Sequence, residues 1–500
     1  MKRILMLLAV ALVTPAVAHA TTATATAQAE LQAGVAAYHR GDYQQALADF
    51  RQLAAQGYAG AENNLGVMYN DGQGVLQDYA KALKWFRLAA TQGNAVAEYN
   101  LGMMYKKGQG VPQSYAEALK WYRLAAAQGN AGAEFNLGVM DAKGQGVPQD
   151  DAKALKWYRL AAAQGYADAE NNLAGMYDRG QGVKQDDAEA MKWFRLAAAQ
   201  GDALAENNLA GMYDRGQGVP QDYAEALKWY RLAAAQGNAV AEDNLGFMYN
   251  DGQGVPPDHA EALKWYRLAA AQGNADAENN LGAMYEKGQG VTQSYAEALK
   301  WYRLAAAQGN ADAENNLGFM YDHGQGVSQD YAEALKWYRL AAAQGDAVAE
   351  SNLAVMYDRG QGVPQDDVEA LKWYRLAAAQ GFAGAENNLG LMYKDGQGVP
   401  QDYARALKWT RLAAVQGIVD AENNLAGMYA KGQGVPQDYV AAYKWGLIAK
   451  ATMSPTSRDY AKVSNNVKQL PALMTPAQIA QAKQEASAWF AAHEHGGRVL

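Results

Sequence analysis

The chain has 500 residues, half of them hydrophobic, with 51 glycines, no cysteine and a formal net charge of −8. The absence of cysteine excludes disulfides and lipid attachment at a cysteine. The negative charge argues against non-specific nucleic-acid binding, which requires a basic surface.

The first twenty residues, MKRILMLLAVALVTPAVAHA, have the organisation of a secretory signal peptide. Lys2 and Arg3 precede an apolar stretch over 4–13, and Ala18-His19-Ala20 fits the small-x-small cleavage rule. The stretch is too short to span a bilayer as a helix. We expect cleavage at about Ala20 and a periplasmic mature chain without a transmembrane segment. Secretion from the cell is the alternative location, and a retained anchor is the alternative interpretation of this segment.

Residues 21–28, TTATATAQ, are expected to form a flexible leader. The next segment, 29–57, contains LQAGVAAYHRGDYQQALADFRQLAAQG, whose turn is four residues shorter than the turns that follow. This segment resembles an ordinary tetratricopeptide hairpin. We therefore expect it to cap the N-terminal end of the array that begins at residue 58.

Residues 58–453 consist of eleven consecutive copies of one 36-residue phrase without an insertion, numbered here as repeats 1 to 11. A fixed period of this length is the signature of a solenoid built from supersecondary units. The period is marked by a tryptophan in each copy: Trp85, Trp121, Trp157, Trp193, Trp229, Trp265, Trp301, Trp337, Trp373, Trp409 and Trp445.

Each repeat is predicted to form two helices. The first includes AEYNLGMMY (97–105) and ends at Gly108, a residue type that readily adopts the left-handed conformation closing a helix. Ser114 and Glu117 then form an S-x-x-E capping box at the start of a second helix over about 115–128. Trp121 and Leu124 lie on a second apolar stripe of that helix, so we expect neighbours on two sides.

The repeated phrase AEYNLGMMYKKGQGVPQSYAEALKWYRLAAAQGN resembles the Sel-1-like repeat, a longer-turned relative of the tetratricopeptide repeat. The resemblance covers about four-fifths of the chain. It implies an all-α fold, a right-handed α/α superhelical solenoid, in which the first helix of each repeat lines the concave surface. Members of this build resemble adaptors that regulate envelope enzymes, sensor kinases or polysaccharide export.

Residues 454–500 are expected to contain C-terminal capping helices and a frayed tail. Thr475 is predicted to cap a helix whose first turn contains Pro476. The final residues, HEHGGRVL, complete the tail. This segment would close the array with a face able to meet water.

Comparison of the eleven copies separates constant positions of the first helix from variable ones. The positions of Glu62 and Asn64 never change. The variable positions are spaced 3, 4 and 4 residues apart and share one side of the helix, and we call them the first-helix strip. They are the positions of Gly60, Asn63, Val67 and Asp71.

The resemblance places the first-helix strip on the concave surface, where such solenoids bind ligands. Bulky apolar residues on an otherwise solvated face favour an interaction site. The expected partner is a protein or peptide, with an acidic glycan as a less favoured ligand of the basic positions. The candidate partner-binding residues are Tyr99, Met103, Lys107, Phe135, Lys143, Arg179, Arg215, Phe247, Phe319, Arg359 and Leu391.

Three other interpretations of the strip remain open at this stage. Exposed positions drift freely, so the variation is also consistent with a merely solvated face. Each aromatic side chain could instead fill a gap against the next repeat. The lysines and arginines, which occupy seven of the eleven Asp71-type positions, could simply complement the negative end of the first helix.

No catalytic residue, metal site or cofactor is predicted. The histidines are scattered, His493 and His495 belong to the expected frayed tail, and no serine begins an S-x-x-K motif. We therefore expect a non-enzymatic interaction scaffold of the bacterial envelope. The alternatives are an envelope enzyme acting on peptidoglycan or a β-lactam, as reported for cysteine-rich relatives, and a secreted host-interaction factor.

Overall fold

The computed structural model describes the backbone of residues 22–494 and the side chains of residues 27–493. The predicted signal peptide and His495 lie outside the described residues. Within 22–494 the regular elements are 26 α-helices and one 3₁₀-helix, with no strand. The all-α prediction is confirmed for this part of the chain.

The chain divides into two compact units, Met1–Pro256 and Pro257–Leu500. In each unit, successive helices pack on one another as antiparallel neighbours joined by short turns. The helices of the first unit are α1 (Thr22–His39), α2 (Tyr43–Ala55), α3 (Ala59–Asp71), α4 (Tyr79–Thr91), α5 (Ala95–Lys107), α6 (Tyr115–Ala127), α7 (Ala131–Lys143), α8 (Asp151–Ala163), α9 (Ala167–Arg179), α10 (Asp187–Ala199), α11 (Ala203–Arg215), α12 (Tyr223–Ala235) and α13 (Ala239–Asp251). The second unit contains α14 (His259–Ala271), α15 (Ala275–Lys287), α16 (Tyr295–Ala307), α17 (Ala311–His323), α18 (Tyr331–Ala343), α19 (Ala347–Arg359), α20 (Asp367–Ala379), α21 (Ala383–Asp395), α22 (Tyr403–Val415), α23 (Val419–Lys431), α24 (Tyr439–Thr452), α25 (Tyr460–Gln469), the 3₁₀-helix η1 (Leu470–Leu473) and α26 (Pro476–Glu494).

The N-terminal helix is longer than the sequence suggested. It begins at Thr22, so it includes most of the segment expected to be a flexible leader. Alanine is the strongest helix former, and Ala27 in this segment is buried in the core beside α2. Asp42 then caps α2 by accepting a hydrogen bond from the backbone N–H of Gln45.

The first helix of each repeat has its ends defined by the predicted residues. In repeat 2, the Asn94 side chain accepts a hydrogen bond from the Ala97 N–H at 2.9 Å. Gly108 closes α5 with φ of 70°, and its N–H donates to the Met104 carbonyl. This left-handed conformation favours glycine over any residue with a Cβ. The predicted stop at Gly108 is confirmed.

The second helix is capped on one side only. The Ser114 hydroxyl accepts from the Glu117 N–H at 3.3 Å, as the capping box predicts. The Ser114 N–H, however, donates to the Tyr105 carbonyl at 2.9 Å. Because this donor is already used, the reciprocal hydrogen bond from the Glu117 carboxylate is not needed. Half of the predicted capping box is therefore present.

The core of each repeat forms where the two helices approach closely. Tyr122 is fully buried, and a Cβ at Gly102 would lie 2.5 Å from its ring. Trp121 is half-buried against the core of the preceding repeat. Leu124 is 43% exposed, so the second apolar stripe is only half covered. The same exposure recurs at Leu88, Leu160, Leu196 and Leu232 of the first unit and at Leu268, Leu304, Leu340, Leu376 and Leu412 of the second.

The C-terminal segment packs on α24 through α25, η1 and α26. The predicted cap is present, since the Thr475 hydroxyl accepts from the Gln478 N–H at 3.3 Å and the Gln478 side-chain oxygen accepts from the Thr475 N–H at 2.9 Å. Trp489 of α26 lies edge-to-face against Trp445, with ring centres 6.2 Å apart. None of the helices described is both long and apolar enough to cross a membrane.

Candidate interaction surface

The invariant asparagines join neighbouring repeats. The Asn208 side-chain amide donates to the Asn171 amide oxygen at 3.1 Å, linking the first helices of repeats 5 and 4. Residue 171 is the strip position next to an invariant asparagine, so the partner is a neighbouring helix and not a turn. The equivalent pairs are Asn100 with Asn63 at 3.0 Å, Asn244 with Asn207 at 3.3 Å, Asn316 with Asn279 at 3.0 Å and Asn352 with Asn315 at 3.0 Å.

The invariant glutamates are buried and join the two ends of one repeat. Glu98 accepts a hydrogen bond at 2.8 Å from the side chain of Gln128, the residue that ends α6. Burial raises the pKa of Glu98, and the hydrogen bond from Gln128 partly opposes that rise. The same bond, at 2.7 to 2.9 Å, is made by Gln to Glu pairs 92–62, 164–134, 200–170, 236–206, 308–278, 344–314, 380–350 and 416–386. A contact made once per repeat is structural.

The exceptional residue of repeat 3, Asp141, occupies a position that is tyrosine elsewhere. In repeat 2 this tyrosine, Tyr105, accepts a hydrogen bond at 2.7 Å from Arg87 of the preceding repeat. Asp141 is only 7% exposed, and burial raises its pKa while the nearby Lys153 lowers it. The nearby carboxylate, Asp150, is already used, because it caps α8 by accepting from the Lys153 N–H. Asp141 thus retains a cationic neighbour without forming a catalytic pair of carboxylates.

Three apolar residues of the first-helix strip are enclosed by the next repeat. Met103 is only 7% exposed and lies in the core with Tyr122. The half-buried Tyr99 ring lies 6.0 Å from that of Tyr122, and burial raises its pKa. Phe135 lies 5.3 Å from the Tyr166 ring. The expectation that these residues face a partner therefore fails for Met103, while Tyr99 and Phe135 mainly fill space between repeats.

Two aromatic residues of the strip are accessible. Phe247 is 44% exposed, and Phe319 is 36% exposed and stacks on His323 with ring centres 4.0 Å apart. Leu391 is half-buried. Phe247 and Phe319 are in different units, so each is available to a partner on the surface of its own unit.

The basic residues of the strip are all exposed. Lys107, Lys143, Arg179 and Arg215 occupy one position in four consecutive repeats of the first unit, and Arg359 occupies it in the second. None of these five side chains forms a salt bridge with a carboxylate among the residues that the structure describes. Their placement at helix ends also agrees with stabilisation of the helix dipole.

The two arginines of the first unit line a continuous polar groove. Arg179 folds back over Gly175, where a Cβ would lie 3.1 Å from its guanidinium, and Arg215 covers Gly211 in the same way. Their Nε atoms donate to Gln181 at 3.2 Å and Gln217 at 2.9 Å. Two cavities of about 250 and 330 Å³ follow these helices and share Arg179 and Asn208 in their walls.

The largest of the cavities described here was not expected from the sequence. It encloses about 570 Å³ between α23 and the capping elements α25 and η1. One signal was visible in the repeats, because Gly446 stands where Tyr122 and its equivalents supply a buried ring. No group of three or more histidine, aspartate or glutamate side chains within 27–493 could hold a metal ion, and His493 stacks on Trp489.

Comparison with known proteins agrees with this geometry. The Sel1 repeat family model matches eleven consecutive segments: 59–94, 95–130, 131–166, 167–202, 203–238, 239–274, 275–310, 311–346, 347–382, 383–418 and 419–450. A protective antigen of uropathogenic Escherichia coli strains that displays an SLR fold is 37% identical, with 91% of this chain and 98% of that chain covered and a TM-score of 0.69. A Sel1 repeat protein from Oxalobacter formigenes is 36% identical over 48% of this chain and 96% of its own, with a TM-score of 0.45. No curated protein matches the sequence.

Proposed function

Because the chain belongs to the Sel1 repeat family, whose solenoids generally mediate protein–protein interaction, we propose that it is a non-enzymatic scaffold of the bacterial cell envelope. A protein partner lies along the first-helix strip. The constant positions of each repeat are occupied by contacts within the array, whereas the exposed strip positions are free to contact another molecule.

The observation that carries this proposal is the run of cations in repeats 2 to 5. Lys107, Lys143, Arg179 and Arg215 are exposed and lack carboxylate partners among the described residues, and aspartates (Asp71 and Asp251) occupy the same position on either side. Like charges on one surface repel each other, so an acidic ligand that neutralises them is favoured. Guanidinium groups bind carboxylates through paired hydrogen bonds, which favours an acidic peptide segment.

The accessible aromatic side chains supply apolar anchors beside this charged run. An aromatic residue fully buried by a partner typically contributes about 2 kcal/mol or more to binding. Phe247 and Phe319 are the strip aromatics with the surface to do this. Tyr99 and Phe135 act through the shape of the array, because their rings already contact neighbouring repeats.

The proposed compartment is the periplasm, after cleavage of the signal peptide at about Ala20. The organisation of residues 1–20 supports export, and the bacterial origin of the similar proteins supports an envelope context. Cell fractionation and N-terminal sequencing of the mature chain test this proposal. Recovery of the chain from the cytoplasm with Met1 retained contradicts it, whereas recovery from the medium identifies the secreted alternative.

A crosslinked pull-down from periplasmic extract tests the binding surface. The strip variant replaces Lys107, Lys143, Arg179 and Arg215 with glutamine. The control variant replaces the exposed Lys120, Lys156, Lys192 and Lys228 of the second helices with glutamine, so that both variants lose four positive charges. Circular dichroism confirms that both variants are folded.

We expect a specific partner to be captured by the wild type and the control, and to be lost from the strip variant. A partner retained by the strip variant and lost from the control would instead place the interface on the second helices. Replacing Phe247 and Phe319 with serine, one at a time, then identifies which unit supplies the apolar anchor.

A further inference from the structure

The cavity at the end of the array differs from the grooves elsewhere. It lies between α23 of repeat 11 and the capping elements α25 and η1, and its volume is about 570 Å³. Small-molecule sites in proteins typically occupy roughly 300–1,000 Å³. The cavity is therefore large enough to hold an organic molecule and not merely a few waters.

Changes in repeat 11 open this space. In repeats 2, 7 and 8 a buried tyrosine ring packs on the first helix so tightly that a Cβ on the facing glycine would lie 2.5 to 2.6 Å from it. Gly446 removes that ring from repeat 11. At the strip position, a Cβ added to Gly427 would have no atom within 4 Å. Val467 of α25 approaches a Cβ position on Gly446 at 3.0 Å and refills only part of the space.

The cavity wall combines positive charge with apolar surface. Lys394, Lys431 and Lys462 line it, and of these only Lys394 forms a salt bridge in the described part of the chain, with Asp395 at 3.8 Å. Val463 and Leu470 supply apolar surface from the capping elements. Two unpaired cations beside apolar side chains suit a ligand that carries both a negative group and a hydrocarbon body.

We propose that this cavity binds a small organic anion with an apolar body, such as a medium-chain carboxylate. Lys431 and Lys462 attract the anionic group, and the apolar side chains of α25 and η1 cover the rest. The inference goes beyond the scaffold function, because the ligand is a small molecule held at the capping end and not a protein held along the strip. It does not require the proposed partner to exist.

The test uses the full mature chain and the fluorescent sulfonate 1-anilinonaphthalene-8-sulfonate as probe. One variant, Gly427→Leu, fills the cavity with a side chain that the equivalent position already carries as Leu391 in repeat 10. Its matched control is Ala283→Leu, at the same position of repeat 7. A second variant, Lys431→Gln with Lys462→Gln, keeps the cavity open and removes its charge. Lys287→Gln with Lys468→Gln is its control.

We expect saturable binding of one probe per chain, weakened at least tenfold by both cavity variants and unchanged in both controls. Decanoate should displace the probe, whereas decyltrimethylammonium should not. Equal affinity of the wild type, Gly427→Leu and the lysine variant would overturn the proposal, as would equal displacement by the cation. Since the lysine variant leaves the packing unchanged, a folding defect in Gly427→Leu would not rescue the proposal from that result.

Discussion

Tyr122 and Tyr302 occupy the same position in repeats 2 and 7, but their hydroxyls differ in hydrogen bonding. Tyr302 donates to a Glu286 carboxylate oxygen at 2.6 Å. The Tyr122 hydroxyl is buried and has no hydrogen-bond partner. Replacing each tyrosine with phenylalanine removes the hydroxyl and leaves the ring, so the pair isolates the contribution of the hydroxyl.

The two substitutions should change local stability in opposite directions. A hydrogen bond to a charged group contributes about 1.5–3 kcal/mol, so Tyr302→Phe should destabilise repeat 7 by about that amount. A buried hydroxyl without a partner costs roughly 1–3 kcal/mol, so Tyr122→Phe should leave repeat 2 unchanged or make it more stable. Rings of both residues are at most 1% exposed, so solvent exposure does not explain a difference.

Native-state hydrogen exchange, read by mass spectrometry for each helix, is the suitable assay. A long repeat array does not unfold in two states, whereas exchange reports the opening free energy of each region separately. Since 1.4 kcal/mol is a factor of ten, Tyr302→Phe should speed exchange in α15 and α16 by roughly 10–100-fold. Exchange in α5 and α6 should stay the same or slow in Tyr122→Phe. Equal acceleration in both variants would refute the assigned role of the hydroxyl.

Three further predictions concern contacts that recur along the array. Burial raises the folded-state pKa of glutamates such as Glu98, so the folded chain binds more protons than the unfolded chain as the pH falls from 7 towards the ordinary glutamate pKa. The thermal midpoint should therefore rise over that range and fall again below about pH 4, where aspartate caps such as Asp78, whose pKa is lowered by hydrogen bonds to Lys81, become protonated; a steady decrease from pH 7 would contradict this. Asn208→Ala should cost about 1 kcal/mol by removing the hydrogen bond to Asn171, seen as faster exchange in α9 and α11, and no change there would make the contact dispensable. Leu119→Ala should cost about 2–5 kcal/mol because Leu119 is buried, whereas Leu124→Ala should change local stability by less than about 0.5 kcal/mol, and equal costs would show that Leu124 is covered in solution.

The helices were predictable because their signals are local. Gly108 ends α5 and Ser114 begins α6 through contacts with residues at most five positions away along the chain, apart from the Ser114 N–H bond to Tyr105. That single exception is also where the capping-box prediction was incomplete. Local sequence cannot show that a donor is already used by the preceding helix.

The exposure of the strip was less predictable because it depends on neighbouring repeats. Met103 and Phe247 occupy the same position, yet Met103 is 7% exposed and Phe247 is 44% exposed. Met103 shares its core with Tyr122, and Tyr99 packs against that core from the adjacent strip position. Helical periodicity identifies the face on which a residue lies, but it does not show which large side chain covers that residue.

The division between constant and variable positions follows from the contacts. Asn208, Glu98 and Gln128 form hydrogen bonds that every added repeat must reproduce, so a change at any of them leaves a buried polar group unpaired. A change from Asp71 to Lys107 at the strip loses no such contact, because both side chains are exposed. Duplicated repeats can therefore change charge at the strip without losing stability. A run of four cations between two aspartates is then a matter of what the surface binds, and the four-charge exchange between first and second helices measures that directly.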